Sequence, residues 1–370
     1  MHKFVVDKSV LFLLIVLFTF SCCNRKKKDD PSNDFDRGAM LINIASVNIL
    51  PGYNLLKSKI TSLKNASDLF IANPDEANLI NLQDNYKQTY LSWQAIEVYE
   101  FGPASDVILK ASVNSFPTEI TTINSNISSG TYDLDIPVNI KAKGFPALDY
   151  LLFGIGANPA AIVVMYTSDS DAMNRKIYLT NVINNINSRV SSATTNWTSY
   201  FSTFTTNTTT DLGSSIGLLV NNMSMSLESV RRERIGTPLG YVGLVSTGVV
   251  APQLQEAYYS NYSKELILQY LIQSKELFNG GAGTGFDDYL IAIGAKYDDG
   301  TFLSDQLNLQ YNKAIFAVQE INPDLTGALN TDVSKVELAF LEVKKLIILI
   351  KLDMASQLGV VINYADNDGD

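Results

Sequence analysis

The chain of 370 residues carries 28 Lys and Arg against 38 Asp and Glu, a net charge of −10, with two Cys and one His. A hydrophobic content of 46% supports a packed core and excludes disorder throughout, and the acidic balance argues against nucleic acid as a partner. The sole histidine, His2, falls in a segment with the anatomy of a cleaved signal. A mature chain without histidine excludes His-ligated zinc, Ser-His and Cys-His catalysis together.

Lys3 and Lys8 form a basic start, and Val10 to Phe20 is an eleven-residue apolar run, the length of a signal peptide rather than of a spanning helix. It ends Phe18-Thr19-Phe20-Ser21-Cys22, which resembles the lipobox of bacterial lipoproteins. The expectation is a signal over 1–21, lipid on Cys22 (Cys23 if the cut falls one residue later) and a polar tether over 22–37. The Lys28-Asp29-Asp30 stretch resembles the surface-export signal of Bacteroidetes lipoproteins; an ordinary charged linker is the alternative. The expected location is the cell envelope, anchored to the outer membrane and exposed at its surface if the export signal operates.

In chain order, Leu79, Leu82, Tyr86, Tyr90, Trp93 and Ile96 give one apolar stripe on a helix over about 75–101. Leu179, Val182, Ile186, Val190, Ala193, Trp197 and Phe201 mark a second, fraying at 205–210. Leu303 to Val318 forms a third that stops at Asn322-Pro323. Val333 to Leu358 forms a fourth, apolar almost all round and therefore expected in a core. Residues 116–143 and 236–253 read as irregular. No segment alternates at period two, so the fold class is all-α, two antiparallel helical-bundle domains over 38–207 and 208–370.

Several constellations could carry chemistry. On the first helix Trp93, Glu97 and Glu100 fall at i, i+4 and i+7 on one face, a hold for a hard cation or basic ligand, or else a core tryptophan with a solvated edge. Arg231, Arg232 and Arg234 are three of seven arginines within four residues, suited to an anion or to buried carboxylates at a domain contact, with Glu228 and Arg232 at the spacing of a helix-surface pair. The run Gly280 to Gly285 lacks the preceding strand and Lys-Ser/Thr pair of a phosphate loop and reads as a flexible helix connection. Asp366 to Asp370 begins like a calcium loop but ends before the twelfth position. In Lys143 to Gly154, Pro146 opens a short apolar helix and Asp149 complements its dipole.

These stretches resemble the imelysin-like proteins, an envelope family named for a peptidase and associated with iron uptake. Gly144, Pro146 and Asp149 occupy the glycine, histidine and glutamate positions of the family's Gly-X-His-X-X-Glu marker. Trp93 to Glu97 with Glu100-Phe101-Gly102-Pro103-Ala104, Ser115 to Glu119, Arg234 to Gly240, and Asp353 to Asp370 resemble further family segments. The resemblance implies two helical bundles with the marker near their contact, Trp93 and Glu97 beside it and the arginines as neighbours. It also implies outer-membrane or envelope uptake components as partners. Proline at the histidine position supplies no metal lone pair. The remaining oxygen donors, with Glu97 and Asp149 as the candidate ligands, favour iron, calcium or magnesium over zinc. The expected function is a lipid-anchored binding protein that takes a ligand at the cleft between the bundles, lined by Trp93, Glu97, Glu100, Gly144, Pro146, Asp149, Arg231, Arg232 and Arg234, without peptidase activity. Two alternatives stand beside it: a peptidase using an oxygen-ligated metal, and a structural or docking lipoprotein.

Overall fold

A 36-residue helix, Arg37–Ala72 (α1), opens the part of the chain that the computed structural model describes, residues 35–242, 246 and 248–363. The expected signal, Cys22, nearly all of the tether and the acidic carboxy-terminal run lie outside those residues. Asp36 caps α1, its carboxylate accepting the Ala39 amide at 2.8 Å, which satisfies one of the orphan amides of a first turn. A turn at 73–75 reverses the chain into α2, Glu76–Trp93, capped by Asp75 in the same way. Leu79, Leu82, Tyr86, Tyr90 and Trp93 are buried on one face, as their spacing requires. Helix α1 packs along both α2 and the 35-residue α7, Ala172–Thr206. By length and composition α1 could cross a bilayer, but packing against α2 and α7 accounts for its apolar stripe.

Four short helices lie between α2 and α7: α3 (Leu109–Val113), α4 (Ile120–Ser129), α5 (Gly144–Asp149, continuing as a π-turn over Tyr150–Gly154) and α6 (Pro159–Thr167). After residues 207–214 the second bundle follows. It comprises α8 (Ser215–Ser229, continuing as a π-turn over Val230–Gly236), α9 (Ser263–Phe278), α10 (Phe286–Ala292), α11 (Leu303–Gln319), α12 (Leu325–Thr331) and α13 (Ser334–Ile348, extended by a π-turn to Met354). Helix α11 packs on α9 and α13. The buried side chains of both bundles form one cluster from Met40 to Val360. The all-α class and bundle architecture expected from the sequence are what the structure has; the one β-contact among the described residues is an isolated bridge between Lys296 and Phe302.

Three local expectations need correction. Helix α2 ends at Trp93, and residues 94–98 are tight turns closed by bonds such as Ile96 N–H to Trp93 O at 3.0 Å. Trp93, Glu97 and Glu100 therefore do not share a helix face. The stretch 116–143 contains α4, whose Ile123 and Ile127 are buried and whose end is marked by Gly130 at φ +65°. Helix α7 ends at Thr206, inside the 205–210 stretch where it is expected to give way to a connection. Helix α13 is not enclosed: Leu338, Leu341, Ile348 and Leu352 are exposed.

The glycine run connects α9 to α10 and is pinned. The Asn43 side chain donates to Gly280 O at 2.7 Å and Thr284 O at 2.9 Å, tying the loop to α1. Gly280 sits at φ +67° with no room for a Cβ against Thr284 O, so glycine is there for backbone shape.

Candidate functional site

Gly144 starts α5 at φ +77°, and a Cβ there would lie 2.3 Å from Val113 O. Only glycine lets the chain pass so close to α3. That approach seats Phe145 against Tyr90 in a stacked pair at 4.6 Å, with the Trp93 ring 6.4 Å from Phe145. Gly144, Pro146 and Trp93 are buried. Pro146 contributes its carbonyl, which accepts from the Thr118 hydroxyl at 2.8 Å.

Asp149 falls at the last residue of α5, not in its first turn, so the dipole role expected of it does not apply. Its carboxylate is 1% exposed and reaches across to the second bundle. Oδ2 accepts the Tyr259 amide at 2.8 Å, and Oδ1 accepts the Ser260 amide at 3.2 Å and the Tyr86 hydroxyl at 3.3 Å. Burial pushes the carboxyl up to about 6, and the hydrogen bonds pull against it. Asp149 thus latches the turn at 259–260 onto the marker helix.

Glu97 points into the contact between the bundles and meets Arg234. The π-turn after α8 directs Arg231 and Arg234 inward, while Arg232 is half-buried. The Arg234 guanidinium donates to Glu97 Oε2 and to Gln94 Oε1 at 2.8 Å, and its Nε lies 3.2 Å from Glu256 Oε2. Lys110 Nζ approaches Glu97 Oε1 at 3.1 Å, and Asn114 donates to Glu256 Oε1 at 2.7 Å while accepting from the Tyr90 hydroxyl. Two carboxylates are set against two cations, and Glu97 and Arg234 are each 1% exposed.

Burial alone would raise the Glu97 carboxyl, but Arg234 and Lys110 together hold it below its ordinary value. Glu256, buried and facing the charge of Glu97, is raised despite Arg234. Arg231 pairs with Glu228 at 3.0 Å and lies over the Phe340 ring. Glu100 accepts the Lys110 amide at 3.1 Å on the far side of the 94–98 turns.

The structure therefore brings Trp93, Glu97, Arg234 and the marker segment into one neighbourhood, but as a packed junction. Glu97 and Asp149, the candidate metal ligands, share no partner, and cations or amide groups occupy the oxygens of both. Among the described residues no three His, Cys, Asp or Glu side chains converge. This donor set does not fit a metal centre at the marker.

An open groove of about 650 Å³ lies beside the junction, between α1, α2 and α9. Its polar wall includes Asn48, Lys59, Gln88, Gln269, Gln273 and Glu276. Among the described residues, the side chains of Gln88, Gln269 and Gln273 have no hydrogen-bond partner. Glu276 sits near Val47, since its carbonyl accepts the Gly281 amide and Gly281 abuts the Val47 side chain. Lys59 is beside Gln88, because its carbonyl accepts from Thr89 at 3.1 Å. Twelve helical residues separate Val47 from Lys59, so the groove runs about 18 Å along α1.

The sequence reading did not single out the groove residues or Glu256. Gln269, Ile272, Gln273 and Glu276 stand at i, i+3, i+4 and i+7, a one-face spacing that could have signalled the α9 wall. Glu256 lies in an aperiodic stretch with no such mark.

Two solved structures share the fold. An imelysin-like protein from Psychrobacter arcticum aligns at 17% identity and TM-score 0.69, covering 89% of this chain and 97% of that one. A chain named as an iron-regulated protein A precursor from Parabacteroides distasonis aligns at 19% identity and TM-score 0.70, covering 87% of this chain and 95% of that one. No curated protein matches. The family model described as Imelysin matches residues 49–344, which include the buried junction, the marker segment and all of the groove but Val47 and Asn48. This chain belongs to the imelysin family.

Proposed function

We propose that the chain is a lipid-anchored binding protein of the bacterial envelope, without peptidase activity, that takes an iron-related ligand into the cleft between its two helical bundles. The observation that carries this reading is Asp149. At the marker's acidic position its carboxylate is buried and spent on the Tyr259 and Ser260 amides, while Pro146 stands where the marker has histidine. A hydrolytic centre needs an accessible base and a bound nucleophile, and these residues offer neither.

The groove of α1, α2 and α9 opens at the bundle contact and has room for a ligand. With Glu276 as its one carboxylate, it suits the organic periphery of a chelate better than a bare cation, which needs several anionic oxygens. Iron would enter as cargo inside such a chelate. The name of the Parabacteroides relative supports the iron link, and the lipobox-like Ser21-Cys22 supports the anchor.

Two measurements test this together. Incubation with denatured casein should release no peptides with or without added divalent metal. Calorimetric titration with ferric citrate, Ca²⁺ and Zn²⁺ should give saturable binding of the ferric chelate alone. Metal-dependent cleavage would overturn the non-catalytic reading, and no heat from any of the three would remove iron from the proposal.

A further inference from the structure

Among the described residues the groove of α1, α2 and α9 has two charged wall residues, of opposite sign: Lys59 and Glu276. Glu276 stands at the Val47 end and Lys59 at the Gln88 end, and the two ends lie about 18 Å apart along α1. Neither side chain has an ion-pair or hydrogen-bond partner among the described residues. Lys59 is half-buried and Glu276 exposed, so both can meet a ligand lying in the groove. Along the same walls stand Gln88, Gln269 and Gln273, uncharged and likewise without side-chain partners.

A primary amide both donates and accepts, so it pairs with a chain that offers N–H and C=O groups in alternation. Pro51, Leu55, Leu91 and Ile272 add an apolar lining on which small hydrocarbon side chains can lie. A neutral sugar would leave both end charges unanswered, a polyanion would meet Glu276, and a polyamine would meet Lys59. A chain with an ammonium at one end and a carboxylate at the other answers both. At about 3.3–3.6 Å per extended residue, a chain of about five residues covers about 17 Å, nearly the whole length of the groove.

We propose that the groove holds a short peptide-like chain in extended form, its ammonium at Glu276, its carboxylate at Lys59 and its main-chain amides on Gln88, Gln269 and Gln273; this rests on the groove being the ligand site, and such a chain is the part of a chelate that the site would grip. The test is calorimetric titration of the purified protein with pentaalanine. Three counterparts accompany it: pentaalanine acetylated at its amino end, pentaalanine amidated at its carboxyl end, and dialanine, which is too short to reach both ends. Glu276→Gln and Lys59→Met each remove one end charge, and Gln273→Trp blocks the groove from the α9 wall.

The site requires one saturable pentaalanine binding event that is lost in Gln273→Trp, with dialanine at least about tenfold weaker. Glu276→Gln should weaken pentaalanine at least about threefold, the worth of one exposed ion pair. It should leave the acetylated peptide, which has no ammonium to lose, at its wild-type affinity. Lys59→Met should weaken pentaalanine likewise and spare the amidated peptide. Absence of saturation, equal binding of dialanine, wild-type affinity in either charge variant, or binding that survives Gln273→Trp would overturn the site. Titration with ferric citrate in parallel separates the two readings. Ferric citrate binding that Gln273→Trp abolishes, without pentaalanine binding, would overturn the peptide-like chain and keep the groove. Pentaalanine binding lost in Gln273→Trp, without ferric citrate binding, would support the chain and remove iron.

Discussion

Replacing Arg234 with methionine keeps much of the side-chain volume and removes the guanidinium on which the contact between the bundles is built. In the native junction Arg234 faces Glu97, Gln94 Oε1 at 2.8 Å and Glu256 Oε2 at 3.2 Å. After the change Glu97 keeps Lys110 at 3.1 Å, but Glu256 keeps the Asn114 amide and the Tyr90 hydroxyl and no cation. Removing one partner of a buried ion pair costs about 3–5 kcal/mol, and the unpaired member here is fully inside the protein. Urea unfolding at pH 7.5 should therefore show Arg234→Met less stable by roughly that amount.

The loss should depend on pH in a set direction. Without Arg234 the folded-state Glu256 carboxyl rises further above its unfolded value of about 4.3. The folded state then holds the extra proton, and stability falls as pH rises through that window. The variant should accordingly lie closer to wild type near pH 4.5 than at pH 7.5. Adding Glu256→Gln should recover at least about 1 kcal/mol at pH 7.5 by removing the stranded charge. An Arg234→Met protein within about 1 kcal/mol of wild type at pH 7.5, or no recovery in the double variant, would refute the claim that this junction holds the bundles together.

Three further outcomes follow from the same geometry. With Asp149 raised to about 6 from 3.8, its contribution to stability falls by about 3 kcal/mol as pH rises from about 4 to about 6; Asp149→Asn should flatten that slope in pH-dependent urea melts, and an unchanged slope would contradict the assignment. Gly144→Ala should destabilise by at least about 1–3 kcal/mol from its left-handed backbone alone, before the clash with Val113 O is added; a thermal melt equal to wild type would show that α3 and α5 can separate freely. Cys22→Ser should move the protein from the membrane fraction to the soluble fraction and abolish labelling with a radioactive fatty acid, whereas a labelled, membrane-bound Cys22→Ser protein would point to Cys23.

The long helices were legible because their burial is one-sided. Leu79 to Trp93 and Leu179 to Trp197 keep the 3.6-residue spacing that a helix on a core must have. The break at Trp93 was not legible, since Ile96 continues the stripe while its backbone has left the helix; Gln94 and Glu97 are turned toward Arg234, a residue about 140 positions away in sequence that no local pattern announces. Helix α4 was hidden by its Ser, Thr and Asn content, which has low helix propensity, although Ile120, Ile123 and Ile127 with Gly130 after them are a short helix and its stop. The arginine cluster disclosed its chemistry but not its partner. Of its two readings, Arg231 and Arg234 have the buried-carboxylate one, and Glu256, from a segment without periodicity, could not be foreseen as a partner.

We propose that the marker segment holds the fold while the groove of α1, α2 and α9 takes the ligand. The most direct measurement is calorimetric titration with ferric citrate of three proteins: wild type, Gln273→Trp, which fills the groove from the α9 wall, and Asp149→Asn. The account requires saturable binding in wild type, its loss in Gln273→Trp and its retention in Asp149→Asn. Binding that survives the blocked groove but disappears with Asp149 would place the ligand at the marker and contradict the account.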